Sequence, residues 1–225
     1  MFCCWGDIPC TVPFPAVSPE TVSLETMDGV RLEAGVVWAD VAVPRAFVVI
    51  GHPHPLYGGD RTNHVVRALQ AAAFEAGCHS VAPDFRGAGG SMGEHDNGDS
   101  ERLDLAAVLQ MIDMVEDSVP VIMAGYSFGA VVALNVTTPD ISGWLAVAPP
   151  VPMMAAGVLA ATSHRPKHII APRHDQFSPV DDLTVMTSSW TNTSVMVLES
   201  VDHFIAAGAE DACAAGLAEI LDRID

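Results

Sequence analysis

Val121-Ile122-Met123-Ala124-Gly125-Tyr126-Ser127-Phe128-Gly129-Ala130-Val131-Val132-Ala133-Leu134 joins an apolar run to a helical pattern through a turn of small residues built around one serine. Gly-x-Ser-x-Gly in a strand, turn, helix context is the arrangement that lifts a serine hydroxyl clear of a sheet, with glycines letting strand and helix backbones approach closely. Taken alone the motif is weak, since an ordinary strand-to-helix turn has the same composition, so its neighbours and partners must carry the reading.

Outward from this stretch, short runs rich in Val, Ile and Ala recur at 46–50, 79–83, 121–125, 143–147, 168–171 and 194–198. Runs of this kind suit strands buried on both faces. Between them lie helical patterns at 64–76, 100–115, 128–136, 179–189 and 209–224, with Gly77 placed as a helix C-cap. Ahead of them, 21–26 and 31–38 alternate apolar and polar residues around Met27-Asp28-Gly29, which predicts an antiparallel hairpin. Alternating strands and helices imply an α/β fold: a mostly parallel sheet with helices on both faces, whose reactive groups sit at the carboxyl ends of the strands.

The 225 residues suit one domain at 21–225 preceded by an N-terminal extension at 1–20, and half of them are hydrophobic, enough for a large core. A formal net charge of −18 offers no basic groove, so nucleic acid and anionic membrane are not expected partners. Cys3, Cys4, Cys10, Cys78 and Cys213 show no paired metal spacing and are expected as reduced thiols. The N-terminus lacks a basic n-region and a continuous apolar run, and no run is long enough to cross a bilayer, so the expected location is the cytoplasm. Phe2, Trp5 and Phe14 are expected either to pack over the site or to make a subunit contact.

A serine hydroxyl needs a histidine to take its proton and a carboxylate to hold that histidine in the useful tautomer. Asp175 follows the run 168–171 and His203 follows the run 194–198, in the chain order Ser, Asp, His. Asp181 and Asp182 are the alternative acids, inside the next helical pattern, and His174, His164 and His168 are the rival bases. Acyl transfer through this set needs two amide donors for the developing oxyanion. One is expected from Phe128, the residue after the serine. The other is expected from Gly51-His52-Pro53-His54-Pro55-Leu56-Tyr57-Gly58-Gly59, after the run 46–50. Pro53 and Pro55 have no N–H, which leaves His54 first, Leu56 second and Tyr57. The His52-Pro53-His54 spacing also permits a metal site, but no further clustered ligands complete one, and no metal or cofactor is expected.

His52-Pro53-His54-Pro55-Leu56-Tyr57-Gly58-Gly59, Asp84-Phe85-Arg86-Gly87-Ala88-Gly89-Gly90-Ser91 and Gly125-Tyr126-Ser127-Phe128-Gly129 together resemble a family of small, lidless bacterial α/β hydrolases related to dienelactone hydrolases. The resemblance spans roughly residues 21–224. It implies an eight-stranded sheet with the second strand antiparallel, no cap domain, and a triad of Ser127, Asp175 and His203. Serine at the elbow separates the chain from aspartate-dependent dehalogenases and epoxide hydrolases, and from the cysteine of dienelactone hydrolases proper. The expected activity is that of a serine carboxylesterase acting on small or short-acyl esters, as a monomer or small homo-oligomer. Alternatives are a peptidase or thioesterase with the same triad, or a non-catalytic ligand-binding protein of this fold. Ala148 to Lys167 is too short for a helical cap, and its Met153, Met154 and Leu159 are read either as ordinary core packing or as a flexible apolar rim. The loop at 84–91 reads as structural, Arg86 anchoring a carboxylate, and His95, Asp96 and Asp99 read as a solvated loop with no role.

Overall fold

The computed structural model describes residues 18–116 and 118–225, so the expectations placed on Phe2, Trp5, Phe14 and the first three cysteines lie outside the described residues. Eight strands form one sheet: β1 (Glu20–Glu25), β2 (Arg31–Val37), β3 (Phe47–Gly51), β4 (His79–Pro83), β5 (Val121–Tyr126), β6 (Ile141–Val147), β7 (Lys167–Pro172) and β8 (Thr193–Leu198). Their order is β1-β2-β4-β3-β5-β6-β7-β8, with β2 antiparallel to both neighbours and β3 to β8 parallel. The hairpin closes where Thr26 accepts from Gly29 N–H at 2.9 Å, Gly29 taking the positive φ of 81° that such a turn demands.

Among the described residues, five helices cover the sheet: α1 (His64–Glu75), α2 (Glu101–Val115), α3 (Phe128–Leu134), α4 (Val180–Thr187) and α5 (Ala209–Ile224). The pleat sorts successive residues to opposite faces. Phe47 and Val49 of β3 pack with Leu105, Val108 and Ile112 of α2 and with α3, whereas Val48 and Ile50 pack with Val65 and Leu69 of α1 and Leu217 of α5. Each large side chain buried this completely stabilises the fold by roughly 1.5–3 kcal/mol. Asn63 starts α1 by accepting Val65 N–H at 3.0 Å, and Gly77, at φ 72°, turns the chain after it into β4.

Between β6 and β7 the chain makes only two short 3-10 turns, Val151–Met154 and Leu159–Thr162. Among the described residues, no helical cap therefore covers the carboxyl ends of β5 and β6. Arg86 anchors the loop after β4 as the sequence predicts: its guanidinium bonds Asp104 of α2 at 2.8 Å and Asp28 of the hairpin turn at 2.8 Å. That contact holds the Asp28 carboxyl well down, at about 2. Cys78 and Cys213 are free and buried, and burial pushes their thiols up to about 11 and about 12. No helix of the described residues is long and apolar enough to cross a membrane.

Candidate active site

Ser127 stands between β5 and α3 with φ 54° and ψ −120°. An L-residue held in this sparsely populated region costs of order 1–3 kcal/mol, so the surroundings must enforce it. They do so by hydrogen bonding, Ser127 N–H to Val147 O at 2.8 Å, and by close packing of three glycines. A Cβ on Gly125 would lie 2.4 Å from Gly129 O, and one on Gly129 would lie 2.3 Å from the Gly51 backbone. Only glycine at these positions allows α3 to sit this near β3 and β5.

From the raised serine a buried hydrogen-bonded chain runs back into the fold. Ser127 Oγ lies 2.9 Å from His203 Nε2, and His203 Nδ1 lies 2.7 Å from Asp175 Oδ2. The Asp175 and His203 side chains are 0% and 6% exposed, so water does not compete for these bonds. The second carboxylate oxygen of Asp175 accepts the backbone N–H groups of Phe177 at 2.8 Å and Ser178 at 2.9 Å, which orients the first toward the histidine. A carboxylate beside Nδ1 keeps the proton on that nitrogen and leaves Nε2 free to accept from the serine. The alternatives do not converge here: Asp181, Asp182, His174 and His164 are exposed, and His168 bonds Ser194 at 2.8 Å.

The loop after β3 divides its two histidines between separate tasks. His52 is fully buried, accepting Phe85 N–H at Nε2 (2.9 Å) and donating from Nδ1 to Pro53 O (2.6 Å). Burial pushes its pKa down to about 4, and with both nitrogens committed it offers no lone pair to a metal. His54 lines the cavity over Ser127, and its Nδ1 accepts Leu56 N–H at 3.2 Å. The Leu56 amide, second choice for the oxyanion, is thus already engaged, and Tyr57 N–H bonds His54 O at 3.1 Å. Among the described residues, no hydrogen bond occupies the backbone N–H of His54 or of Phe128.

The sequence model of the Alpha/beta hydrolase family matches residues 47–219, which include every group of this constellation. The chain belongs to the α/β hydrolase family. A curated protein of Rickettsia prowazekii is 28% identical over 186 residues, covering 77% of this chain and 78% of that one. Among solved structures, an α/β serine hydrolase homologue from Coxiella burnetii is 27% identical, covers 92% of this chain and 98% of its own, and superimposes with a TM-score of 0.78. A lidless α/β serine hydrolase of Xanthomonas campestris shares the fold at 24% identity, 92% and 96% coverage and a TM-score of 0.79.

In this α/β hydrolase a cavity of about 590 Å³ opens in front of Ser127. Proline and aromatic side chains dominate its walls, with Pro53, Pro150, Tyr57, Phe177 and Phe204 among them. Of the three residues read as core or rim, Met153 lines the cavity, Met154 packs in the core, and Leu159 is exposed away from the cavity lining. Two further groups escape the sequence. Tyr126, the second residue of the serine motif, donates its hydroxyl to His203 O at 2.8 Å, and burial raises its phenol pKa. His95 is a correction to the expected solvated loop: its side chain is 7% exposed, its Nδ1 is 2.6 Å from buried Glu101, and its ring packs on His54 at 4.5 Å and Phe128 at 5.3 Å. Glu101 opens α2 and collects the amides of Asp96 and Gly98, folding this loop inward. Burial and then the nearby His95 depress the His54 pKa.

Proposed function

We propose that this α/β hydrolase is a serine carboxylesterase working through an acyl-enzyme. Ser127 Oγ attacks the ester carbonyl as its proton passes to His203 Nε2, and Asp175 stabilises the imidazolium. The carbonyl oxygen becomes an oxyanion held by the His54 and Phe128 amides. Collapse of the tetrahedral adduct breaks the ester C–O bond, and the departing alkoxide takes the proton from His203. Water then attacks the acyl carbonyl, gives its proton to His203, and the acid leaves as that proton returns to Ser127. The observation that carries this reading is the continuous 2.9 Å and 2.7 Å chain from Ser127 through His203 to Asp175, opening onto a cavity.

The substrates we assign are small, uncharged esters with short acyl or compact aryl groups. A capless cavity of about 590 Å³ walled by proline and aromatic side chains favours apolar groups of that size. The net charge of −18 disfavours anionic esters and nucleic acid. Thioesters would pass through the same acyl-enzyme. The test is hydrolysis of nitrophenyl esters from acetate to octanoate by the parent and by Ser127→Ala. The parent should be fastest on the shorter esters, and Ser127→Ala should lose about 10⁶-fold in kcat. Equal rates in parent and variant would contradict the reading.

A further inference from the structure

We infer that His64 is a positioning residue for His203, an inference that rests on the acyl-transfer reading above. His203 sits in a tight turn between β8 and α5, closed by Ile205 N–H to Asp202 O at 3.2 Å and by Phe204 N–H to Asp202 Oδ1 at 3.0 Å. Three successive carbonyl oxygens of that turn meet donors from outside it. The Tyr126 hydroxyl donates to His203 O at 2.8 Å. His64 Nε2 lies 3.0 Å from Phe204 O and 3.2 Å from Ile205 O. Both neighbours of Nε2 are carbonyl acceptors, so this nitrogen carries the proton and donates to the pair.

The backbone of Ile205, between the two bonded carbonyls, is strained. Ile205 has φ 46°, in the left-handed region that a β-branched residue rarely enters. The oxygens of Phe204 and Ile205 nevertheless lie 3.0 Å and 3.2 Å from the one nitrogen. Such a conformation persists only where the surroundings enforce it. From inside, the Ile205 side chain is 1% exposed and packs in the core shared with α1 and α5. From outside, the enforcing group is His64.

His64 is well placed for this because it is the first residue of α1, fixed by the Asn63 cap and by the fully buried Val65 and Val66 that follow. It is not among the cavity-lining residues. His203 must hold Nε2 on Ser127 and Nδ1 on Asp175 simultaneously, and a displacement of about 1 Å in such a constellation costs on the order of 10²-fold in rate. An exposed hydrogen bond that restrains the turn without fixing it fully is worth part of that.

The experiment compares His64→Ala and His64→Gln, each alone and in a His203→Ala background. kcat and KM for nitrophenyl acetate, the melting temperature, and the far-downfield proton NMR signal of the His203–Asp175 hydrogen bond are measured. His64→Ala should lower kcat about tenfold with KM within about twofold. His64→Gln, whose amide N–H reaches the same place, should restore most of the rate. In the His203→Ala background the His64→Ala substitution should change the residual rate by less than about twofold, because a group that acts through His203 has nothing left to act on. The downfield signal should broaden in His64→Ala while the fold stays intact. Unchanged kcat and signal in His64→Ala, a Gln variant as poor as Ala, or an equal loss in the His203→Ala background would each overturn the inference. Absence of Ser127-dependent hydrolysis in the parent would instead remove the acyl-transfer reading, and the NMR signal would still report whether His64 holds His203.

Discussion

Behind Ser127, three glycines bring β3, β5 and α3 so close that a Cβ on Gly129 would sit 2.3 Å from the Gly51 backbone, whereas in front of it Phe177, Phe204 and Tyr57 stand 47%, 56% and 88% exposed. The two sides meet at Ser127, which lines the 590 Å³ cavity, and are built differently. The rear is backbone against backbone, with a strained serine and a buried carboxylate whose two oxygens are both engaged. The front consists of side chains with water on one flank. On the proposed acyl-transfer reading, chemistry that tolerates little displacement sits on the first, and selection among substrates falls to the second.

The sharpest way to break this contrast is at Asp175. Asp175→Asn keeps the shape but lets the side-chain amide donate where the carboxylate accepts, which favours the wrong tautomer of His203. It should lower kcat by about 10⁴-fold with little change in melting temperature, as read by ester hydrolysis and thermal denaturation. Gly129→Ala comes next and acts on the fold. Its methyl group meets the backbone of β3, not a side chain that can swing away, so destabilisation of roughly 3 kcal/mol or more is expected from urea denaturation, at the upper end of overpacking effects. The front should respond least. Phe177→Ala removes an exposed ring that packs 4.8 Å from His203, and should raise KM for aryl esters a few-fold, about 1 kcal/mol of lost contact, with kcat within about twofold. A Phe177→Ala variant that lost as much kcat as Asp175→Asn would erase the distinction between the two sides.

The sequence was legible where local pattern and structure share a cause. All eight predicted strand runs and all five helical patterns correspond to elements, with ends differing by a few residues where turns and caps decide. α3, for example, ends at Leu134 and not at 136, where the Asn135 side chain turns back to Val131 O at 2.9 Å. Ser127 was marked by its motif, and Asp175 and His203 by chain order and strand ends; the structure brings all three together. What stayed hidden depends on contacts between distant segments. Nothing near His64 indicates that it reaches the carbonyls of Phe204 and Ile205, and nothing in the polar stretch around His95 indicates that Glu101 draws it inward against His54. The engagement of the Leu56 amide is hidden for a related reason, since its acceptor is the ring of a residue that the motif treats only as a backbone donor.

The most direct test of the central claim is intact-protein and peptide mass spectrometry after brief exposure to a fluorophosphonate. The account predicts a single adduct on Ser127, formed at least about 10³-fold more slowly in His203→Ala because the serine then lacks its base. Labelling at another serine, or labelling of Ser127 at the same rate with and without His203, would contradict it.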